Sequence, residues 1–428
     1  MPEHTPPLFF PEALRDDSAL TPRLSAMSWS LADLAWLRTV DLPSHPQRSS
    51  QTPPMTVESI VLKVPNEEPI PLAGSFLMHP APGGTQAVLY TPYGGLEKFD
   101  DRQTLLNTLS TRLKAPATRN DLLAFLPISR RATLKVDTVL TLTGEVIDGS
   151  VFQAQAEILA RSHRANLRVM LEQLEHIPTL AAMLNEVADS MLRRQMPGVA
   201  QARTQVSYGS APANGQTSLT REPLSEALLR NYLHQPWPAT RLRHFSNPQL
   251  PNAGPEQQRY WALALRQICA DLPAMLESPM QSWWRTEVSS GVSRRGFFAQ
   301  AMADKARTEL LLKRQQAIIS PEQSQGLHAR LGLRGASGSA PDSLGQAQKI
   351  RLWETREHYA ELAGSLLLID YQVAYLYTQP KGLQVLNSLA DLKSNLSVLK
   401  THGGLDDPLC NLLTLAERRA LRKMADSV

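Results

Sequence analysis

Cysteine is almost missing from this chain: its 428 residues hold only Cys269 and Cys410. Two thiols so far apart offer neither a disulfide framework nor metal-ligand spacing, which points to folding in a reducing cytoplasm with no metal and no cofactor expected. Excess charge of one sign is lacking too, since 44 basic residues stand against 40 acidic ones and leave a net charge of +4. That balance argues against wrapping a phosphate backbone, so nucleic acid is not an expected partner. No hydrophobic run is long enough to cross a bilayer; the most apolar, Leu362 to Tyr377, is interrupted by Asp370 and Gln372. The opening Met1-Pro2-Glu3-His4-Thr5 lacks the basic-then-apolar order of a cleaved signal. The expectation is synthesis in a bacterial cytoplasm, with any secretion by a route without a cleaved signal peptide. Lysine is absent between Lys135 and Lys305 although arginine is frequent there, which is read as genomic bias.

What is present is a globular composition, 42% apolar and 20% charged, over a length that suggests two or three domains with cores sufficient to fold without staples. Within it the chain repeats itself. Leu72-Ala73-Gly74-Ser75 recurs as Leu362-Ala363-Gly364-Ser365 (362 − 72 = 290), and Leu89-Tyr90-Thr91 as Leu376-Tyr377-Thr378 (376 − 89 = 287). The register extends to Ser30 with Ser320, Ile60 with Ile350, Gly95-Leu96 with Gly382-Leu383, Leu105 with Leu392 and Arg131 with Arg418. Repetition of this kind marks architecture more than chemistry.

Each copy begins with helix-start chemistry: Ser30 with Asp33, and Ser320 with Pro321 and Gln323. Alternating runs follow, at Ile60 to Val64, Leu72 to Met78 and Ala87 to Thr91, with counterparts from Ile350 to Thr378, and they predict three strands per copy. The Gly95 and Gly382 turns lead into helices that carry Leu105, Leu109 and Leu113, or Leu392, Leu396 and Leu399. Between the copies Phe152, Ala156, Leu159, His163, Leu167, Met170 and Leu174 predict one apolar helix stripe; Leu180, Met183, Leu184, Val187 and Met191 predict another. The expected fold class is therefore α+β, predominantly helical, with two related small helix/three-strand/helix units flanking a helical middle region. The expected domains are an arm over 1–29, a first unit over 30–135, the middle over 136–318 and a second unit over 319–428.

Candidate chemistry is sparse. Glu354, Glu357, His358 and Glu361 resemble a metal or acid/base cluster on paper, but the repeat puts them between two strands, where alternation scatters side chains over both faces. His163 reads as a packed or partnered histidine, His176 as a helix C-terminal cap and Cys269 as a buried inert thiol. Gly332, Gly335 and Gly338 lack the Lys-Ser or Lys-Thr pair of a phosphate-cradling loop and read as a linker. Trp283 and Trp284 are candidate binding residues as an aromatic anchor, although neighbours on a helix point apart and core packing competes. Arg161, Arg164 and Arg168, on the polar side of their helix, are candidates for meeting a membrane.

Ser282-Trp283-Trp284 leading into Arg294-Arg295-Gly296-Phe297-Phe298, the Ile319-Ser320-Pro321-Glu322-Gln323 helix start and the Leu-Tyr-Thr strands with their Gly-Leu turns occur in order. In these the chain resembles the N-terminal region of the large dermonecrotic-toxin-like proteins of Gram-negative bacteria, abundant in pseudomonads. The resemblance implies a delivery role through cell-surface or membrane engagement and supplies no catalytic residues; with the chain ending at Val428, no activity domain is expected after the second copy. The leading expectation is a non-enzymatic binding and delivery module of a toxin or secreted effector, its partner a protein or a host cell surface or membrane. The alternative is a cytoplasmic adaptor, chaperone or immunity-like protein that binds another toxin component. An enzyme with a pocket between the copies is a third reading, with no residues to nominate.

Overall fold

The computed structural model describes residues 29–80, 84, 86–135, 138, 140–209, 219–232, 243–246, 253–333, 351–353, 359–361, 366–370, 373–378 and 381–402. Helix α1 (Leu31–Arg38) opens the described chain on a capping box, Ser30 Oγ accepting from the Asp33 N–H while the Asp33 carboxylate accepts from the Ser30 N–H. A short helix α2 (His45–Ser49) follows, then strands β1 (Thr56–Lys63), β2 (Ile70–His79), β3 (Ala87–Thr91) and β4 (Gly95–Phe99). Helices α3 (Arg102–Lys114), α4 (Pro116–Leu123) and α5 (Ile128–Thr133) lead to strand β5 (Thr141–Val146) and the long helix α6 (Val151–Glu175). After these come α7 (Leu180–Gln195), β6 (Gln205–Gly209), β7 (Leu219–Pro223), α8 (Leu224–Tyr232), β8 (Arg243–Ser246) and α9 (Pro255–Arg285). The remainder is β9 (Glu287–Ser289), β10 (Val292–Ser293), α10 (Arg294–Gln315), α11 (Pro321–Arg330), β11 (Arg351–Trp353), β12 (Tyr359–Glu361), β13 (Leu366–Asp370), β14 (Val373–Thr378), β15 (Gly382–Leu386) and α12 (Leu389–His402).

The chain divides into two compact units, one of Met1–Leu171 with Glu287–Val428 and one of Glu172–Thr286. In the second, the row Met183, Leu184, Val187, Met191 and Leu192 of α7 packs on Leu224 and Leu228 of α8 and on Trp261, Leu265, Ile268 and Leu272 of α9. A three-stranded sheet in the order β7-β6-β8 completes it. Residues 201–218, unassigned by periodicity, supply β6, and 210–218 lie outside the described residues.

In the first unit a sheet in the order β4-β3-β2-β1-β5 has helices against both faces. Strict alternation sorts β3: Ala87 and Leu89 pack with Leu105, Leu106, Leu109 and Leu113 of α3, whereas Val88 and Tyr90 pack with Leu34, Trp36 and Leu37 of α1. The expected fold class is corrected here. The fold is mixed α/β, 57% helix and 21% strand, and the first sheet has five antiparallel strands where three were expected. One extra strand is β4, because Gly95, at φ 63°, turns the chain into a further strand before the Asp101-capped α3 begins. The other is β5, which pairs with β1 from beyond residue 135, where the first unit was expected to close.

The second copy repeats some of this locally. Ser320 and Gln323 form the same reciprocal cap, Gly382 has φ 64°, and β15 and α12 begin 287 positions after β4 and α3 (382 − 95 and 389 − 102). Its strands are arranged differently, as a β13-β14-β15 sheet and a separate β11-β12 pair. Its sheet packs through Leu368, Tyr375, Tyr377 and Leu383 on Ala303 and Leu310 of α10 and Leu327 of α11. The arm over 1–28 and the last short helix expected around Cys410 lie outside the described residues.

The repeated tetrapeptide marks a break in β2. A step of two positions in β1, from Ser59 to Val61, matches a step of five in β2, from Phe76 back to Pro71, so β2 bulges. Ile70 and Leu72 face α3, but after the bulge it is Leu77 that does so, while Phe76 and Met78 face α1. Gly74 sits in the bulge at φ 73°, and a Cβ there would lie 2.9 Å from Pro92 Cγ. Its N–H, taken out of the ladder, donates to Gln155 Oε1 of α6 at 2.9 Å. The recurrence at 362–365 lies outside the described residues.

This requirement turns α6 around. Of its expected apolar stripe Phe152 and Leu159 are half-buried against the core, but the buried positions are Val151, Gln155, Ser162 and Asn166, and further along Leu167, Leu171 and Leu174 are 54%, 53% and 41% exposed. Replacing Gln155 with Leu, an apolar residue of similar size, is expected to destabilise the protein by about 1–3 kcal/mol, because the Gly74 N–H is then buried without an acceptor. Gly74→Ala is expected to cost roughly 1–2 kcal/mol through the left-handed backbone alone. Urea unfolding of both variants checks these values, and an unchanged midpoint for Gln155→Leu would remove the proposed anchor.

Candidate functional site

Three features of the first unit carry polar chemistry. The first lies where β1 meets α3. Glu58 is only 8% exposed and shares the parity of Ile60 and Leu62, so its carboxylate points toward the helix-covered face. Arg102, the first residue of α3, donates from Nε to Glu58 Oε2 at 2.9 Å, with Nη2 2.7 Å from the same oxygen. His79 at the end of β2 places Nε2 3.3 Å from Glu58 Oε1 and Nδ1 2.6 Å from the Pro80 carbonyl. Both neighbours are acceptors, so whichever ring nitrogen carries a proton donates to one of them. Gly144 of β5 makes room for this cluster, since a Cβ there would fall 1.8 Å from Glu58 Oε2. Beside it a groove of about 410 Å³ runs between α3 and β5.

The second feature is a buried knot around Asp304 of α10. Arg131 of α5 grips its carboxylate with both terminal nitrogens, Nη1 at 3.1 Å and Nη2 at 2.5 Å. Arg307 adds a third donor at 2.7 Å and Asn166 of α6 a fourth at 3.3 Å. Asn166 also accepts from the Ile128 N–H, capping α5, whose Pro127 cap offers no side-chain acceptor. Burial pushes the Asp304 carboxyl up, and the two guanidiniums pull against it. His163 lies 2.9 Å from Thr308 Oγ1, whose hydroxyl donates to the Asp304 carbonyl, so the ring donates through Nε2. Burial lowers its pKa, with Asp304 opposing and Lys305 adding to the shift, which keeps the ring neutral. This knot is a tertiary fastening, because the Asp304 carboxylate is taken up by donors from α5, α6 and its own helix.

The third feature is the outward face of α6. Arg161, Arg164 and Arg168 are exposed, and Leu167 and Leu171 stand in the same turns. The other nominated binding residues are in the second unit. Trp283 is 9% exposed and donates to the His176 carbonyl at 3.3 Å, and Trp284 meets its ring edge-on with centroids 4.7 Å apart. The expectation that the two rings point apart is corrected, and Trp283 is part of a packed corner. His176 Nδ1 lies 2.7 Å from the Glu172 carbonyl, where a C-terminal cap belongs. Cys269 is half-buried against the second unit's core. Glu354, Glu357 and His358, like Gly335 and Gly338, lie outside the described residues.

Among the described residues no group of three or more His, Cys, Asp or Glu could hold a metal ion, and no helix is long and apolar enough to cross a membrane. No family model matches the chain, and no curated protein or solved structure does either.

Sequence reading missed Glu58, His79, Arg102 and Asp304. Glu58 left a signal, an acidic residue in phase with Ile60 and Leu62, and Arg131 stood among the repeated positions. Asp304 left none, because one carboxylate in a charged helix is indistinguishable from a solvated one until its neighbours are known.

Burial alone would raise the Glu58 pKa, but the bonds from His79 and Arg102 hold it below its ordinary 4.5. The unfolded chain then binds the proton more readily than the folded one, so this stability is full above that value and is lost as the pH falls through the folded value. Stability measured against pH is expected to decline less steeply below pH 4.5 in Glu58→Gln than in the parent. Asp304→Ala, which leaves Arg131 and Arg307 buried without their carboxylate, is expected to cost about 3–5 kcal/mol in chemical unfolding.

Proposed function

We propose that this chain is a binding and delivery module of a secreted toxin or effector, and that it meets an anionic membrane surface through the outward face of α6. The observation that carries this reading is the inverted burial of that helix: Gln155, Ser162 and Asn166 face in while Leu167 and Leu171 are more than half exposed. A helix that only closed a core would do the reverse. From Ile158 to Leu171 every charged residue is an arginine, Arg161, Arg164 and Arg168, which puts fixed positive charge beside apolar side chains. That pairing suits an interface where leucines enter the headgroup region and guanidiniums meet lipid phosphates. The resemblance of Trp283-Trp284, the Arg294 to Phe298 segment and the repeated strands to the N-terminal region of dermonecrotic-toxin-like proteins agrees with delivery.

Co-sedimentation with phosphatidylcholine vesicles, with and without phosphatidylserine, tests the reading. Binding is expected only with the anionic lipid. Replacing all three arginines with glutamine should weaken it roughly a hundredfold, at about 1 kcal/mol per charge, and Leu167→Asp with Leu171→Asp should abolish it without lowering stability. Equal binding to both vesicle types, or no binding to either, would refute the proposal.

A further inference from the structure

We propose a second docking site, independent of α6: the open edge of β5, which accepts an extended acidic peptide from a protein partner. The groove between α3 and β5 is lined on one side by Arg102, Gln103, Leu106, Asn107 and Ser110, one face of α3, and on the other by every residue from Leu140 to Gly144. A cavity over one face of a sheet touches alternate residues of a strand. Contact with five in succession places this groove along the main chain of β5, over roughly 13 Å. β5 is the outer strand of its sheet and pairs with β1 alone among the described residues.

The direction of its main-chain groups follows from the ladder. The Ile147 N–H donates to the Val57 carbonyl, and antiparallel bonds recur at every second residue, so Thr141, Thr143 and Glu145 bond β1. Leu142 and Gly144 therefore turn their N–H and C=O groups outward, toward the groove. Gly144, without a side chain, leaves that edge open to another backbone. An extended peptide is the occupant that satisfies such an edge.

Charge selects its kind. Arg102 is the one charged residue among those lining the groove; Nε and Nη2 bind Glu58, which leaves Nη1 to donate elsewhere. Asn107 Oδ1 accepts from Gln103, which leaves its NH₂ to donate. A wall of donors with one guanidinium and no free carboxylate favours aspartate or glutamate on alternate peptide positions.

The test uses the full chain and a fluorescein-labelled hexapeptide that alternates valine with aspartate. Saturable anisotropy is expected, and the same peptide with lysine for aspartate should bind at least about tenfold more weakly. Two further peptides carry N-methyl groups on alternate sets of amides. The set that faces β5 should lose about tenfold or more in affinity and the other little, which reads strand addition without touching the protein. In Leu142→Pro, which removes an outward donor but no bond to β1, binding should weaken to a similar extent. No binding, equal binding of the acidic and lysine peptides, or equal loss from both methylated sets would overturn the proposal.

Discussion

Three buried polar groups lie beneath α6 and take a partner from it: the Gly74 N–H freed by the bulge in β2, the uncapped Ile128 N–H at the start of α5, and the Asp304 carboxylate, which Arg131 and Arg307 also hold. Gln155 takes the first, and Asn166 takes the other two. The alternative, a buried N–H with nothing to bond, is costlier than leaving a leucine in water. So α6 turns its amides inward and its leucines out, against its own hydrophobic pattern. The surface assigned to membrane binding is a consequence of that choice. The Asp304 knot also joins Arg131 and Asn166 to a helix 173 and 138 residues further along the chain, so it fastens the early and late parts of the first unit together.

At the other face of the sheet a second buried acid organises the edge. Glu58 stands among Ile60 and Leu62 and is held by Arg102 and His79, and its carboxylate occupies the space that a side chain at Gly144 would need. One residue thus anchors the start of α3, keeps a glycine in β5 and leaves the strand's edge unobstructed. Edges of this kind are usually blunted by charge or by a covering element. Here the charge present, Arg102, is half engaged and suits an acidic partner better than it repels strands in general.

Much of the local structure was legible beforehand. Ser30 with Asp33 and Ser320 with Gln323 are caps that act over three residues, and the row from Met183 to Leu192 buries as its spacing demands. The strand count was not, and the expectation of two three-strand units gave way to a mixed α/β fold with a five-stranded sheet. Gly95 looked like a terminal turn because β4 is only five residues long, and β5 carries too weak an alternation to stand out before its pairing with β1 is known. The Trp283 and Trp284 rings meet where helical spacing alone separates them, because side-chain torsions decide contact between sequence neighbours.

What this sequence determined by itself is whatever acts within a few residues or recurs: the caps, the helical rows of the second unit, the glycine turns and the duplicated segments. Those depend on backbone preference and on side chains one turn apart, which the order of residues specifies directly. Only the tertiary structure decided which way α6 faces, which carboxylates are buried and where β5 joins the sheet. Each of these depends on a partner between 21 and 173 positions away, and the worth of a polar group cannot be known until burial sets whether water or protein must satisfy it.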